Sequence, residues 1–202
     1  MAIPVPEDTY PFVTPQLLRL RYGHFDPNIF TRWQRQGKVE KIRNGLYLDT
    51  RFEVRGDVDR FMIANQLYAP SYVSLWSAFR YYNFIPEEVF MVTSLSTRKS
   101  VEFEFHRTLL SYRTVRPELF FGYTVATWKD GHYLIATPEK AILDLAYLEP
   151  QFDDAAWLEE LRMDEFEMAE LLNRERLLRY AARYQSDTIN NRIALFFKTY
   201  SL

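Results

Sequence analysis

The chain contains no cysteine, and its 202 residues include only three histidines and six glycines. The absence of cysteine excludes disulfides, thiolate metal ligands and cysteine nucleophiles, and it is typical of proteins of a reducing cytosol. Few glycines leave little material for a phosphate-binding loop, and the patterns G-x-x-x-x-G-K-[ST], G-x-G-x-x-G and H-E-x-x-H do not occur. The sequence therefore excludes several common classes of catalytic and nucleotide-binding site.

A long uncharged apolar run is also missing. The first ten residues, MAIPVPEDTY, have neither the basic nor the apolar segment of a secretory signal, and no stretch approaches the roughly 18 residues of a membrane span. Hydrophobic residues nevertheless make up 48% of the chain and aromatic residues 17%, which is enough for a substantial core. We therefore expect a folded, cytoplasmic protein with no membrane partner.

Charge is distributed unevenly, although the net charge is only -2. Residues 14–48 contain seven basic and two acidic residues, a net charge of +5. Residues 139–170 contain eleven acidic and two basic residues, a net charge of -9. This asymmetry favours a nucleic-acid-binding N-terminal end on an acidic body, whereas solvated helix faces are the alternative explanation.

The basic segment contains the start and stop signals of two short helices, followed by the sequence signal of a hairpin. A Thr-Pro pair at 14–15 begins the first helix, which Gly23 ends, and an Asp-Pro pair at 26–27 begins a second helix that ends at Gly37. Apolar and polar residues then alternate over 39–48 around an Asn-Gly pair, the strongest short hairpin signal. Helix, turn, helix and hairpin together predict a winged helix-turn-helix.

The second helix of this segment is amphipathic. Ile29, Phe30 and Trp33 share one side and are predicted to turn inward, while polar and cationic residues occupy the other side. In such a domain the second helix reads base edges and wing cations hold phosphates. The candidate DNA-binding residues are Asn28, Thr31, Arg32, Arg35, Lys38, Lys41, Arg43 and Asn44. A structural or protein-binding wing is the alternative interpretation.

Winged domains usually carry a further helix before this pair, but only thirteen residues, three of them proline, precede Thr14. That helix is either missing or replaced by another element, such as the helical segment 57–68. A unit of about 50 residues is marginally stable alone. We therefore expect the head to be docked on the remainder of the chain.

The remaining sequence predicts an α+β protein. Two helices are expected first, then about four mainly antiparallel strands, and finally a helical C-terminal portion in which Asp164 and Asn173 act as N-caps. The predicted domains are 1–52, the winged helix packed on the second unit, and 53–202. The predicted helices are 57–68, 71–83, 138–148, 154–161, 165–172, 174–184 and 188–200. The predicted strands are 88–95, 101–107, 120–127 and 132–136, and Asp130-Gly131 joins the last two of them.

Support for catalysis is thin. Glu102, Glu104 and His106 alternate along one predicted strand and form a hypothetical divalent-metal set, but a half-exposed strand shows the same alternation. Ser74 and Ser77 lack the G-x-S-x-G context of an activated serine. We therefore expect no catalytic residue, no metal site and no cofactor, and the protein is not predicted to be an enzyme.

Three stretches together resemble the AbiEi family of antitoxins. Residues 37–47, GKVEKIRNGLY, are similar to a wing pattern G-x-[LIV] followed by R-x-G-[LIV]-Y. Residues 71–87, SYVSLWSAFRYYNFIPE, resemble the block Y-[IV]-S-L-x-S-A-L-x-x-[YH]-G-[LI]-I-P-E, with Trp76 at a usually polar place and Asn83 in place of the helix-ending glycine. Residues 135–145, IATPEKAILDL, resemble A-x-P-E-K-A-L-L-D-L. Asparagine is the next-best residue for a left-handed turn.

The resemblance implies a type IV toxin-antitoxin protein of an abortive-infection system. The N-terminal winged helix would bind operator DNA and repress its own operon, and the C-terminal domain would counteract a nucleotidyltransferase-like toxin encoded nearby. No catalytic residues carry over. Two hypotheses stay beside this one: an interaction module of the same fold without DNA binding, and a metal-dependent nuclease built on Glu102, Glu104 and His106. The oligomeric state is left open.

Overall fold

The computed structural model describes residues 3–6, 11–129 and 131–201. Its N-terminal part, which we call the head, combines two short helices with a three-stranded antiparallel sheet of strand order β1-β3-β2. The elements of the head are β1 (Phe12–Val13), α1 (Pro15–Tyr22), α2 (Ile29–Arg35), β2 (Val39–Arg43) and β3 (Leu46–Asp49).

A mixed six-stranded sheet of order β6-β7-β5-β4-β9-β8 forms the centre of the body, which is the chain after the head. Strand β7 runs parallel to β5 and β9 parallel to β4, whereas the other three neighbouring pairs are antiparallel. The strands are β4 (Ser71–Val73), β5 (Met91–Ser96), β6 (Val101–Phe105), β7 (Thr108–Thr114), β8 (Tyr123–Trp128) and β9 (Gly131–Ala136).

Helices pack on this sheet and continue beyond it. Helices α3 and α4 contact its central strands, and α5 packs against α4, α8 and α9. The helices are α3 (Asp57–Leu67), α4 (Leu75–Tyr81), α5 (Pro138–Leu148), α6 (Ala155–Glu160), α7 (Glu165–Leu171), α8 (Arg174–Ala181) and α9 (Asp187–Thr199). The α+β class is confirmed. Within the described ranges, no helix combines the length and apolar character that crossing a bilayer requires.

Local sequence signals located most helix ends correctly. Thr14, Asp164 and Asn173 are N-caps whose side chains accept the backbone N–H three residues further on, at 2.8–3.1 Å. Asn83 adopts the left-handed conformation expected of it, with φ of 57°. Each of these features depends on one side chain and its nearest backbone, so the sequence alone is sufficient to predict it.

The predicted sheet of four mainly antiparallel strands is wrong in number, because β4 and β7 were not foreseen. Residues 71–83 were expected to form one helix, but 71–73 form a strand and the helix begins only at Leu75. Strand β7 lies between β5 and β6, and residues 110–112 are all buried. Burial on both faces removes the alternation that marks a half-exposed strand. Asp130, which was predicted to join the last two strands together with Gly131, lies outside the described residues.

Buried apolar side chains form two clusters. The smaller one lies inside the head and contains Val5, Val13, Leu18, Phe25, Ile29, Phe30, Trp33 and Val39. The larger one fills the body and also includes Phe12, Leu46 and Leu48 of the head. The head is therefore docked on the body, as expected. Strand β1 and the segment 3–6 cover the head, whereas α3, the segment proposed for that role, packs on the six-stranded sheet.

A charged network lies at the centre of the body. The Lys140 amine on α5 donates to Asp144 one turn later and to the Tyr184 hydroxyl at 2.9 Å. Asp144 also accepts the hydroxyls of Ser74 (2.7 Å) and Tyr72 (3.1 Å). Both charged side chains are 0% exposed. Burial therefore raises the pKa of Asp144 and lowers the pKa of Lys140, although each charge favours the ionised form of the other.

This network connects the two more specific stretches of the AbiEi resemblance. Tyr72 and Ser74 belong to residues 71–87, while Lys140 and Asp144 belong to residues 135–145. Their contacts tie β4 to α5 in the interior, where no solvent reaches the charged side chains. The two stretches therefore meet as parts of one buried framework.

A second network fixes the start of α3. The Asp59 carboxylate accepts the backbone N–H of Arg55 (2.9 Å) and of Gly56 (3.3 Å), and it also accepts the Trp128 indole N–H (2.9 Å). The Lys129 amine lies 3.4 Å away. Burial alone would raise the pKa of Asp59, but these hydrogen bonds and the lysine charge outweigh burial, so the pKa lies below its ordinary value.

We expect Asp59→Asn to lower the free energy of unfolding at pH 7 by about 1–3 kcal/mol, because an amide cannot replace all of these charge-assisted contacts. A carboxyl with a depressed pKa stabilises the fold above its unfolded pKa of about 3.9 and loses that contribution as the pH falls through the folded value. The difference between wild type and variant should therefore shrink below about pH 4. Urea unfolding at several pH values measures it, and a constant difference would contradict this account.

Candidate nucleic-acid interface

Helix α2 is held in the head by one apolar face. Ile29, Phe30 and Trp33 are 3%, 5% and 3% exposed, as the amphipathic pattern predicted. The Phe30 ring packs edge-on against Trp33 at 5.7 Å between ring centres and stacks on Tyr47 of β3 at 4.3 Å. The apolar face thus joins the helix to the hairpin and leaves the opposite face of α2 to solvent.

The link between α2 and the hairpin is short and well bonded. The Lys38 backbone N–H donates to the Trp33 carbonyl at 2.9 Å. The Thr50 hydroxyl lies 2.7 Å from the Gly37 carbonyl and 3.0 Å from the Lys38 carbonyl. Gly37 has a φ of 65°, a conformation that glycine adopts without the steric penalty of a Cβ. These contacts fix the position of the hairpin relative to the helix.

All eight candidate DNA-binding residues are exposed on this unit. Four of them, Asn28, Thr31, Arg32 and Arg35, belong to α2 or its N-cap, and four, Lys38, Lys41, Arg43 and Asn44, belong to the hairpin and its entry. Within the described ranges, the five basic side chains of this set form no ion pair. Five cations are therefore available to an external polyanion.

The start of α2 differs slightly from the prediction. The helix begins at Ile29, with Asn28 as N-cap, and the two residues before Ile29 form a turn. Asp26 still stabilises this start, because its carboxylate accepts the Asn28 backbone N–H at 2.9 Å. Asn28 is exposed at the first turn, the part of a recognition helix that meets base edges in helix-turn-helix proteins.

One acidic residue of the β2–β3 hairpin is paired with the body. The His106 imidazole Nε2–H donates to Glu40 at 2.7 Å, and the ring stacks on Phe105 at 4.1 Å. The contact joins residues 66 positions apart. Periodicity carries no signal for such a contact, and sequence reasoning missed it. It gives the Glu40 carboxylate, which lies beside Lys41 in sequence, a hydrogen-bond donor from the body.

The hypothetical metal set is not assembled. His106 lies in the turn after β6 and contacts Glu40, whereas Glu102 accepts the Ser111 hydroxyl at 3.2 Å. Within the part of the chain that the structure describes, no group of three His, Cys, Asp or Glu side chains has a geometry able to hold a metal ion. The strand alternation of Glu102 and Glu104 is that of an exposed strand face.

The sequence was compared with protein families and with curated proteins. No family model matches the chain, and no curated protein is significantly similar to it.

Proposed function

We propose that the protein is an AbiEi-like antitoxin and autorepressor whose head binds operator DNA as a winged helix-turn-helix. The observation that carries the DNA part is the set of five exposed cations on α2 and the hairpin, none of which forms an ion pair with a described residue. The order α1, α2 and hairpin β2–β3 supports the winged arrangement, with α2 as the recognition helix and the hairpin as the wing. DNA then supplies the anions that these cations lack among the described residues.

Helix and wing have different roles in this proposal. Arg32 and Arg35 lie on α2, where a guanidinium can form two hydrogen bonds with a guanine edge. Asn28 has the amide that pairs with an adenine edge. Lys38, Lys41 and Arg43 hold phosphates, which positions the head but reads no sequence.

The antitoxin part rests on the resemblance of residues 71–87 and 135–145. The buried contacts that join these two stretches support it, because they form one framework. Counteraction of a nucleotidyltransferase-like toxin is assigned to the body. Co-expression with a nucleotidyltransferase encoded beside the gene tests this part: rescue of growth supports it, and unchanged toxicity contradicts it.

Gel shifts with the region upstream of the gene test the DNA part. We expect a base-reading arginine of α2, replaced by alanine, to cost about 1–3 kcal/mol on that site and to relax its specificity. Lys41→Ala should instead weaken binding to all duplexes and lower the slope of log K against log salt by about one. Arg116→Ala, which removes an exposed cation outside the head, is the matched control. Binding that does not depend on salt contradicts the proposal.

A protein-interaction module without DNA binding is the second candidate function. The Phe90 side chain is 82% exposed and borders an apolar groove of about 540 Å³ that Trp76 and Leu109 also line. Trp76 is half-buried and packs edge-on against Phe79, so it belongs partly to the core and partly to this groove. Absence of any duplex binding at low salt would favour this second function.

A further inference from the structure

A second cavity lies on the body where α3, α4, the segment 88–92 and the β6–β7 turn meet. Its volume is about 430 Å³, within the range of small-molecule sites. Polar and apolar side chains line it together, among them Arg60, Phe61, Arg80, Phe90 and Arg107. None of the proposed DNA contacts lies in it.

Two of its arginines have no counter-ion among the described residues. Arg60 forms an ion pair with Asp57 at 2.9 Å. Arg80 is half-buried and Arg107 is exposed, and neither guanidinium forms an ion pair or a hydrogen bond within the described ranges. A guanidinium offers five N–H donors, and a carboxylate or phosphate group matches their geometry.

The turn that carries Arg107 is held in an uncommon conformation. His106 and Arg107 have φ angles of 47° and 63°, which side chains other than glycine or asparagine rarely adopt. The contact of His106 with Glu40 and its stacking on Phe105 hold this turn in place. The imidazole Nε2 donates to Glu40, and Arg60 is paired with Asp57. Arg80 and Arg107 are therefore the guanidinium groups of the lining that form no ion pair within the described ranges.

The remaining lining residues indicate what chemical groups a ligand would carry besides an anionic one. Phe61, Val89, Phe90 and Val92 supply apolar surface. Glu88 supplies an opposing carboxylate, which no ion pair neutralises within the part of the chain that the structure describes. The lining therefore combines cationic and apolar side chains with two carboxylates, Asp57, which is paired with Arg60, and Glu88.

We propose that this cavity binds a small organic anion, a phosphate or carboxylate attached to an aromatic or aliphatic body. Arg80 and Arg107 bind the anionic group, and Phe61 and Phe90 contact the apolar body. Glu88 limits the affinity, because its charge repels the ligand. The proposal concerns the body alone and does not depend on DNA binding by the head.

Phenyl phosphate, inorganic phosphate and phenol are the probes, titrated into the full chain by calorimetry. Phenyl phosphate should bind with a dissociation constant of about 1 mM or lower, because it satisfies both sides of the cavity. Inorganic phosphate and phenol, which satisfy only one side each, should bind at least about tenfold more weakly. Benzoate in place of phenyl phosphate distinguishes a carboxylate from a phosphate ligand.

Substitutions that are expected to change the affinity in opposite directions make the test specific. Arg80→Gln and Arg107→Gln should each weaken phenyl phosphate binding by about tenfold, since each removes a charge-assisted hydrogen bond. Glu88→Gln should tighten binding by about two- to fivefold, which a damaged fold would not do. Arg116→Gln, with the same charge change outside the cavity, should leave it unchanged.

Three results would overturn the proposal. They are no binding of phenyl phosphate or benzoate, binding that Arg80→Gln and Arg107→Gln leave unchanged, or equal binding of phenol and phenyl phosphate. Circular dichroism and thermal unfolding of each variant establish that the fold is kept, and Glu88→Gln tests the site even if an arginine variant unfolds.

Discussion

Replacing Asp144 with alanine is expected to lower the free energy of unfolding by about 3–5 kcal/mol at pH 7, because it leaves the Lys140 amine buried without its counter-ion. The loss also removes the acceptor of the Tyr72 and Ser74 hydroxyls. For a chain of this length, such a loss lowers the melting temperature by roughly 6–20 °C. Urea and thermal unfolding followed by circular dichroism measure both quantities.

The pH dependence of this variant has a defined sign. Burial lowers the pKa of Lys140, and without Asp144 no carboxylate opposes that shift. Between the lowered pKa of the folded lysine and the unfolded pKa of about 10.4, the unfolded lysine binds more protons than the folded one. Stability of Asp144→Ala should therefore rise as the pH increases from 7 towards 10. A variant whose stability stays flat over this range would contradict a buried, unpaired amine.

Two further variants separate the charge from the loss of volume. Lys140→Met combined with Asp144→Leu replaces the pair with apolar groups and should recover most of the stability lost in Asp144→Ala. Glu87→Ala breaks the exposed pair with Arg162 and should cost less than about 1 kcal/mol. If the double variant is no more stable than Asp144→Ala, the unpaired charge is not the cause of the loss.

What the sequence could predict depends on how far apart the interacting residues are. Thr14 and Asn173 cap their helices through atoms three residues away, and the burial of Trp33 follows from helix period. The elements of the head and the exposure of its candidate contact residues could therefore be predicted from the sequence. Their role in binding DNA stays a prediction.

The unforeseen parts depend on contacts between distant segments. Strand β4 exists because it pairs with β5 on one side and β9 on the other, and no turn residue marks its end. Leu75 follows with a φ of 54° where glycine would normally be expected. The β6–β7 turn is similar, because His106 and Arg107 both adopt the left-handed conformation although neither is glycine. Local propensity is overridden there by tertiary packing.

The same limit applies to the two unexpected features of the surface. The Glu40–His106 contact joins the head to the body, and the cavity beside it is built from segments of the chain that begin at residue 57 and end at residue 108. Neither set is visible as a motif. Charge composition did not reveal that Arg80 and Arg107 lie at one cavity, since the body as a whole is acidic.

The largest expected effect on DNA affinity comes from reversing the charge of the wing. Lys38, Lys41 and Arg43 are exposed and form no ion pair with a described residue. Their replacement by glutamate removes the three proposed phosphate contacts and adds three repulsive charges. Affinity for duplex DNA should fall at least about a hundredfold at low salt, and the salt slope should fall by about three. Because the proposal places the wing cations on phosphates, the loss should be nearly equal for operator and unrelated duplexes.

A variant with the same change in net charge but at another place separates local contact from general repulsion. Arg116, Arg179 and Lys198 are exposed on the body, and replacing them by glutamate changes the net charge by the same amount. Repulsion beyond a Debye length of about 10 Å is screened at 0.1 M salt, so this variant should retain nearly all of its DNA affinity there. Gel shifts of both triple variants at several salt concentrations make the comparison. Equal losses in the two would contradict the placement of the DNA-binding surface on the wing, whereas a loss confined to the wing variant supports it.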